Sequence, residues 1–248
     1  MQKRPSEQLY KQFNVLKDMY KDKLILGYIE PTIHNNLFTF TNQMPIFDER
    51  SPLSAKYFNN CKQYLTLFKN RSYHFLFVDG SIAKFHYEFD ELNKLISYNL
   101  LWYPCPFSEE WIKIFKLDDG SIDELQMSEF MDNIEEVDNF KYLDFNLRTP
   151  IRIDYDITYD AKSDKASFHP TSHIHFQHTN TRARNSEIFC LYKFFVFIIE
   201  NCYPNINYEL TKSSLISERM LNEASHWLKC KDLRTDGIGD RIYTTYTF

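Results

Sequence analysis

Two carboxylates, two imidazoles and a guanidinium recur at every second position in two short runs of this chain. The first run is Ile151-Arg152-Ile153-Asp154-Tyr155-Asp156-Ile157 and the second is Ser172-His173-Ile174-His175-Phe176-Gln177-His178. Alternation of apolar and charged residues marks a strand with one buried face. Successive strand side chains point to opposite faces, so Arg152, Asp154 and Asp156 share one face, and His173, His175 and Gln177 share another. Histidine titrates near neutrality and suits general acid–base work. Arginine's planar fork matches phosphate oxygens. A phosphodiester-cleaving site therefore fits these residue types, with one imidazole as base, another as acid, and a carboxylate orienting one of them.

Two other readings stand beside it. Histidines and carboxylates together also suit a divalent ion such as zinc, manganese or iron. Arg152, on the same face as the acids and next to Asp154 along it, would repel a cation, which favours chemistry without metal or other cofactor. Alternatively, an Arg–Asp–His network can be structural, each group satisfying its neighbours.

The intervening stretch 158–171 is polar and long enough to turn the chain back. Antiparallel pairing would then set the imidazoles opposite the carboxylates and guanidinium, with facing Cβ atoms about 4.5–5.5 Å apart. His169 precedes Pro170 in that stretch and is an accessory candidate, or simply a turn residue. Arg182 and Arg184 follow the histidine run and precede an apolar helix, a natural place to bind phosphate. His178 falls on the opposite face and is set aside. His74 and His86 lie on the two arms of a hairpin and read as core or cross-strand residues, and Asp79 as a turn residue.

The elements that would hold these groups are legible in outline. Ser6 opens a helix with Leu9, Phe13, Leu16 and Tyr20 on one stripe, followed by an irregular extended region through Thr41. Ser51-Pro52 begins a helix ending near Lys69. Residues 73–78 and 82–89 flank Asp79-Gly80-Ser81, a strong hairpin signal. Residues 95–103 form a third strand ending at Pro104-Cys105-Pro106, and Ser108 to Trp111 suggests a helix start. The acidic stretch 117–139 reads as an exposed insertion. Residues 186–201 are apolar almost all round, as a helix buried against a sheet would be. Residues 215–229 form a last amphipathic helix before an irregular tail.

No repeat or linker divides the 248 residues. The expectation is one α+β domain built on an antiparallel sheet, with a mainly helical part at 1–70, a sheet core at 71–204 and a helix and tail at 205–248. With only 5 glycines and no Gly-rich phosphate loop, P-loop chemistry is excluded. A net charge of −5 is unlike a generic nucleic-acid-coating protein. The 5 cysteines are scattered, no signal peptide or membrane span is evident, and a soluble cytoplasmic protein with free thiols is expected.

Certain motifs in combination carry a resemblance. They are Val78-Asp79-Gly80-Ser81, Tyr103-Pro104-Cys105-Pro106, Arg152-Ile153-Asp154-Tyr155-Asp156, His169-Pro170-Thr171-Ser172-His173-Ile174-His175, and an aromatic helix ending Tyr203-Pro204. Together they resemble an uncharacterised bacterial family, a domain of unknown function, whose members occur as the small partner of a helicase in two-gene anti-phage defence. A fainter likeness, in the R-x-D and H-x-H order alone, is to small ribonuclease-like toxins. The family resemblance implies a helicase partner and a defence role, with single-stranded DNA or RNA as the expected substrate. The alternative is a non-catalytic adaptor that binds and regulates the helicase.

Overall fold

Apolar residues at alternating positions of 82–103 make a long two-stranded ribbon, and the sheet grows outward from it. The computed structural model describes residues 4–21, 23–34, 36–39, 61–107, 113–118, 123–133, 148–157, 171–176, 182–185 and 188–205. In chain order its elements are α1 (Pro5–Tyr20), β1 (Ile25–Tyr28), β2 (Thr32–His34), β3 (Leu37–Thr39), α2 (Cys61–Lys69), β4 (Phe75–Phe77), β5 (Ile82–Phe89), β6 (Leu95–Tyr103), α3 (Glu124–Asn133), β7 (Ile151–Asp156), β8 (Ser172–Phe176), β9 (Arg182–Arg184) and α4 (Leu191–Cys202). The strands form one sheet in the order β1-β4-β5-β6-β7-β8-β9, with β3 beside the far end of β5 and β2 outside β3. Every pairing between these strands is antiparallel. The α+β expectation holds.

One sheet face is apolar. Ala83, Phe85 and Tyr87 of β5 align with Trp102, Leu100 and Tyr98 of β6, and these with Ile151, Ile153 and Tyr155 of β7. Helices α1 and α4 cover this face. The α1 stripe Leu9, Phe13, Leu16 and Tyr20 is wholly buried, as its helical spacing requires. Phe13 stacks on Phe75 with ring centroids 4.8 Å apart, and Tyr20 lies 4.8 Å from Phe195 of α4. Such ring pairs add about 0.5–1.5 kcal/mol beyond their area burial.

The opposite face is divided. At one end Leu76, Ile82, Leu101 and Tyr103 meet Tyr64, Leu65, Leu67 and Phe68 of α2 and Met127 of α3 in a second apolar cluster. Beyond Leu101 the same face turns polar, and the candidate site lies there.

Three features differ from expectation. The extended region before Thr41 contains three short strands, organised by their pairing with β4 and β5. Within the acidic stretch, Asp123 caps a helix by accepting from the Gln126 N–H at 2.9 Å, and Met127 of that helix is fully buried. That part of the stretch is docked on the second cluster. The aromatic helix begins at Leu191, because residues 188–190 are held extended against the sheet. Tyr87 donates to the Phe189 carbonyl at 3.1 Å, and the Phe189 N–H donates to the Tyr98 hydroxyl at 3.2 Å. Gln12 of α1 then accepts from the Leu191 N–H at 3.1 Å and caps the helix from outside.

The hairpin at Asp79-Gly80 forms as its sequence demands. Gly80 takes φ 74°, a left-handed conformation that costs glycine little. The expected helix starts at Ser51 and Ser108, the helix at 215–229, His169 and His178 lie outside the described residues.

Candidate active site

The alternating pattern of β7 and β8 fixes which of their faces is polar and restricts their register to steps of two. In the register that forms, Arg152 stands opposite His175 and Asp154 opposite His173. The row continues on both sides. Asp154 faces Asn99 of β6, which faces His86 of β5, while His173 faces Arg184 of β9. Alongside runs a second row, Lys84, Leu101, Arg152, His175 and Arg182. Five strands thus contribute to one polar strip.

Asp154 is the hub. Its Oδ2 accepts from Arg152 Nε at 2.8 Å and stands 3.2 Å from His175 Nε2 and 3.6 Å from His173 Nε2. Its Oδ1 accepts from the Asn99 amide at 2.6 Å, which turns Oδ2 toward the histidines. The two imidazole rings meet edge to face with centroids 4.6 Å apart. Arg152, His173, His175 and Lys84 are all buried. Burial pushes the Asp154 carboxyl upward, but the His175 contact and the charges of Arg152, His173 and His175 outweigh it and bring it down to about 2.

His175 has two neighbours of opposite kind. Its Nε2 lies 2.8 Å from Arg152 Nη2, and 3.2 Å from the Asp154 carboxylate. Arginine only donates, so when His175 is neutral its Nε2 accepts at the shorter contact with the proton on Nδ1. When it is protonated, Nε2–H is given to the carboxylate instead. In the neutral form Arg152 therefore covers the Nε2 lone pair of His175, and the Asp154 carboxylate lies within reach of that nitrogen.

Lys84 and Asn99 are site residues that sequence reasoning missed. Burial, reinforced by the Arg152 charge and partly opposed by Asp154, brings the Lys84 amine down to about 7. The signal was present in Ile82-Ala83-Lys84-Phe85-His86-Tyr87-Glu88, where one strand face is ionisable at three consecutive positions. His86 contacts the Thr39 hydroxyl at 3.0 Å, and burial followed by the Lys84 charge lowers it to about 4. His74 is a core residue, as expected: its Nδ1 accepts from the Phe85 N–H at 3.1 Å and its ring stacks on Phe85.

Asp156 lies on the same face two residues along, opposite Ser97. Arg182 and Arg184 occupy their own strand beside His175 and His173, seven residues before α4 begins, rather than at its N-terminus. Asp154, His173 and His175 each offer one ligand atom within 4.8 Å of the others, so these three could hold a metal ion.

The remaining quoted motifs meet elsewhere, at the hairpin end of the sheet. Asp79 accepts from Arg148 at 2.6 Å, from the Tyr203 hydroxyl at 3.0 Å and from the Ser81 N–H at 3.0 Å. Trp102 donates to Tyr203 at 3.3 Å, and the Cys105 N–H to Ser81 Oγ at 3.3 Å. Burial pushes the Cys105 and Cys202 thiols up to about 12, so neither is a thiolate nucleophile. This clasp joins β4, β5 and β6 to the end of α4.

The family model described as Uncharacterized conserved protein (DUF2290) matches residues 35–230. The chain belongs to that family. No curated protein and no solved structure matches it. The DUF2290 match runs from β3 through α4, so it contains both the polar strip and the Asp79 clasp. Among the described residues, no helix is long and apolar enough to cross a membrane.

Proposed function

We propose that this DUF2290 protein is a nucleic-acid phosphodiesterase working without a metal ion, with Arg152, Asp154, His173 and His175 at its centre. The observation that carries this reading is the contact of Arg152 with the basic nitrogen of His175 beside Asp154. Arg152 and, when protonated, Lys84 stand near Asp154 on one sheet face, where they would meet an incoming phosphate. A phosphate drawing the Arg152 guanidinium toward itself would uncover His175 Nε2. That nitrogen would take a proton from the attacking hydroxyl, and Asp154 would stabilise the imidazolium. His173 would serve the leaving oxygen. Arg152 and Lys84 would stabilise charge developing on phosphorus-bound oxygen, commonly the largest contribution in such sites. Arg182 and Arg184, whose strand pairs with β8, would extend the phosphate track. Asp156, on the same face as Asp154, belongs to the catalytic set expected from the sequence, and His169 is an accessory candidate.

The wider role rests on the resemblance described above: anti-phage defence in a complex with a helicase that supplies single-stranded DNA or RNA. A second reading follows from the burial of Arg152, His173 and His175. In that reading the cluster is structural and the protein is an adaptor for the helicase.

A cleavage assay separates the two. Wild type and His175→Ala, each with the helicase and with chelator added, are incubated with single-stranded DNA and RNA. Cleavage that survives chelator and disappears in the variant supports the phosphodiesterase. No cleavage by wild type, with phage resistance unchanged in the variant, returns the cluster to structure and supports the adaptor.

A further inference from the structure

We infer that Asp154, His173 and His175 also form a zinc site, which an ion can enter only by displacing Arg152, and that zinc is therefore an inhibitor of this protein. The inhibitory half rests on the phosphodiesterase reading; the binding half does not.

The distances make the case for the ion. Zinc holds nitrogen and oxygen ligands at about 2.0–2.1 Å in a tetrahedron, which sets neighbouring ligand atoms about 3.3 Å apart. Asp154 Oδ2 stands 3.2 Å from His175 Nε2 and 3.6 Å from His173 Nε2, within a few tenths of an ångström of that spacing. One ligand atom from each of the three residues lies within 4.8 Å of the others, and rotation of the imidazole rings would close the third edge. Two neutral imidazoles and one carboxylate suit zinc by ligand type. When neutral and accepting from arginine, His175 presents the Nε2 lone pair that a metal takes. The Asn99 amide fixes the carboxylate through its other oxygen, as outer hydrogen bonds do for metal-binding carboxylates.

Arg152 makes the two states exclusive. Its Nε contacts Asp154 Oδ2 and its Nη2 contacts His175 Nε2, both at 2.8 Å. These are two of the three atoms the ion needs, so the guanidinium occupies the cation's place. A bound ion would take the lone pair of the proposed base and expel the arginine proposed to hold phosphate.

The test uses the full chain, stripped with chelator and titrated with zinc chloride by calorimetry, with circular dichroism confirming that each variant folds. Wild type should bind one zinc per chain. His173→Ala and His175→Ala should each lose that binding. Asn99→Ala should weaken it by about tenfold or more, the usual scale for outer-shell partners. Arg152→Met should bind more tightly than wild type, since nothing must be displaced. A purely structural arginine predicts no such gain. Failure of wild type to bind, retention of binding in the double histidine variant, or weaker binding by Arg152→Met would each overturn the site. Zinc should suppress cleavage in proportion to occupancy; cleavage that zinc stimulates overturns the inhibitory role. If zinc binds as described but no cleavage occurs under any condition, the phosphodiesterase fails and inhibition with it, while the zinc site stands.

Discussion

Replacing Lys84 with methionine should stabilise the fold while removing a cation from the proposed site. In the unfolded chain the amine titrates near 10.5; in the folded protein burial brings it to about 7. Below pH 7 both states carry the charge, and the folded state bears the full cost of holding it out of water. Between pH 7 and 10.5 the unfolded chain binds the extra proton, so stability rises with pH at about 1.4 kcal/mol per pH decade. The whole interval corresponds to about 5 kcal/mol. Methionine keeps most of the stem's volume and polarisable bulk, at a packing cost usually below about 1.5 kcal/mol. Urea unfolding at pH 7 and pH 10, on wild type and Lys84→Met, measures the difference directly. The variant should be more stable at pH 7 by about 2–5 kcal/mol, and the gap should narrow toward pH 10. A variant less stable than wild type, or a gap unchanged by pH, would mean that Asp154 holds Lys84 charged and that the account of its burial is wrong.

Further outcomes follow from the same structure. His74 and His86 are lowered to about 3 and about 4, so each is neutral in the folded protein while the unfolded chain protonates near 6.5. Stability should therefore be retained above pH 6.5 and fall as pH drops, by about 3 kcal/mol per pH decade while both contribute. His86→Gln should roughly halve that slope in urea midpoints taken between pH 6 and 4.5. Asp154→Asn leaves Arg152 and Lys84 without their carboxylate and should cost about 3–5 kcal/mol at pH 7, read by denaturant unfolding. Gln12→Ala removes the acceptor of the Leu191 N–H. It should cost about 1–2 kcal/mol, visible as a lowered melting temperature.

The part of the site carried by β7 and β8 was legible because one face of each strand is polar and the other apolar over several residues. Keeping Ile153 and Ile174 in the core excluded the odd registers, and the structure shows which of the remaining ones forms. Lys84 and Asn99 escaped notice because the polar positions of their strands are not adjacent in sequence to the Arg/Asp and His runs; only the pairing of β5, β6 and β7 aligns them with Arg152 and Asp154. The start of the aromatic helix was misread for a nonlocal reason. Two tyrosine hydroxyls about ninety to a hundred residues away hold Phe189 extended, and no local pattern encodes that. The docking of α3 did leave a trace, Met127 and Phe130 three apart among acids, but the net charge of the segment obscured it.

The polar strip also bears on how the sheet finds its alignment. Alternation excludes a strand slip of one residue, because every core side chain would change faces. It is indifferent to a slip of two, which returns each residue to its own face. Here a slip of two in β8 would set His173 against Arg152 and Thr171 against Asp154, or else move Arg152 opposite Gln177. Either way the contact between Arg152 and His175 is lost, and Arg152 or Asp154 loses its histidine across the ladder. The side chains proposed for chemistry are thus also the ones that tell correct from nearly correct pairing. Variants that neutralise several of them at once should populate shifted registers, and their loss of activity would then report misalignment as well as missing chemistry.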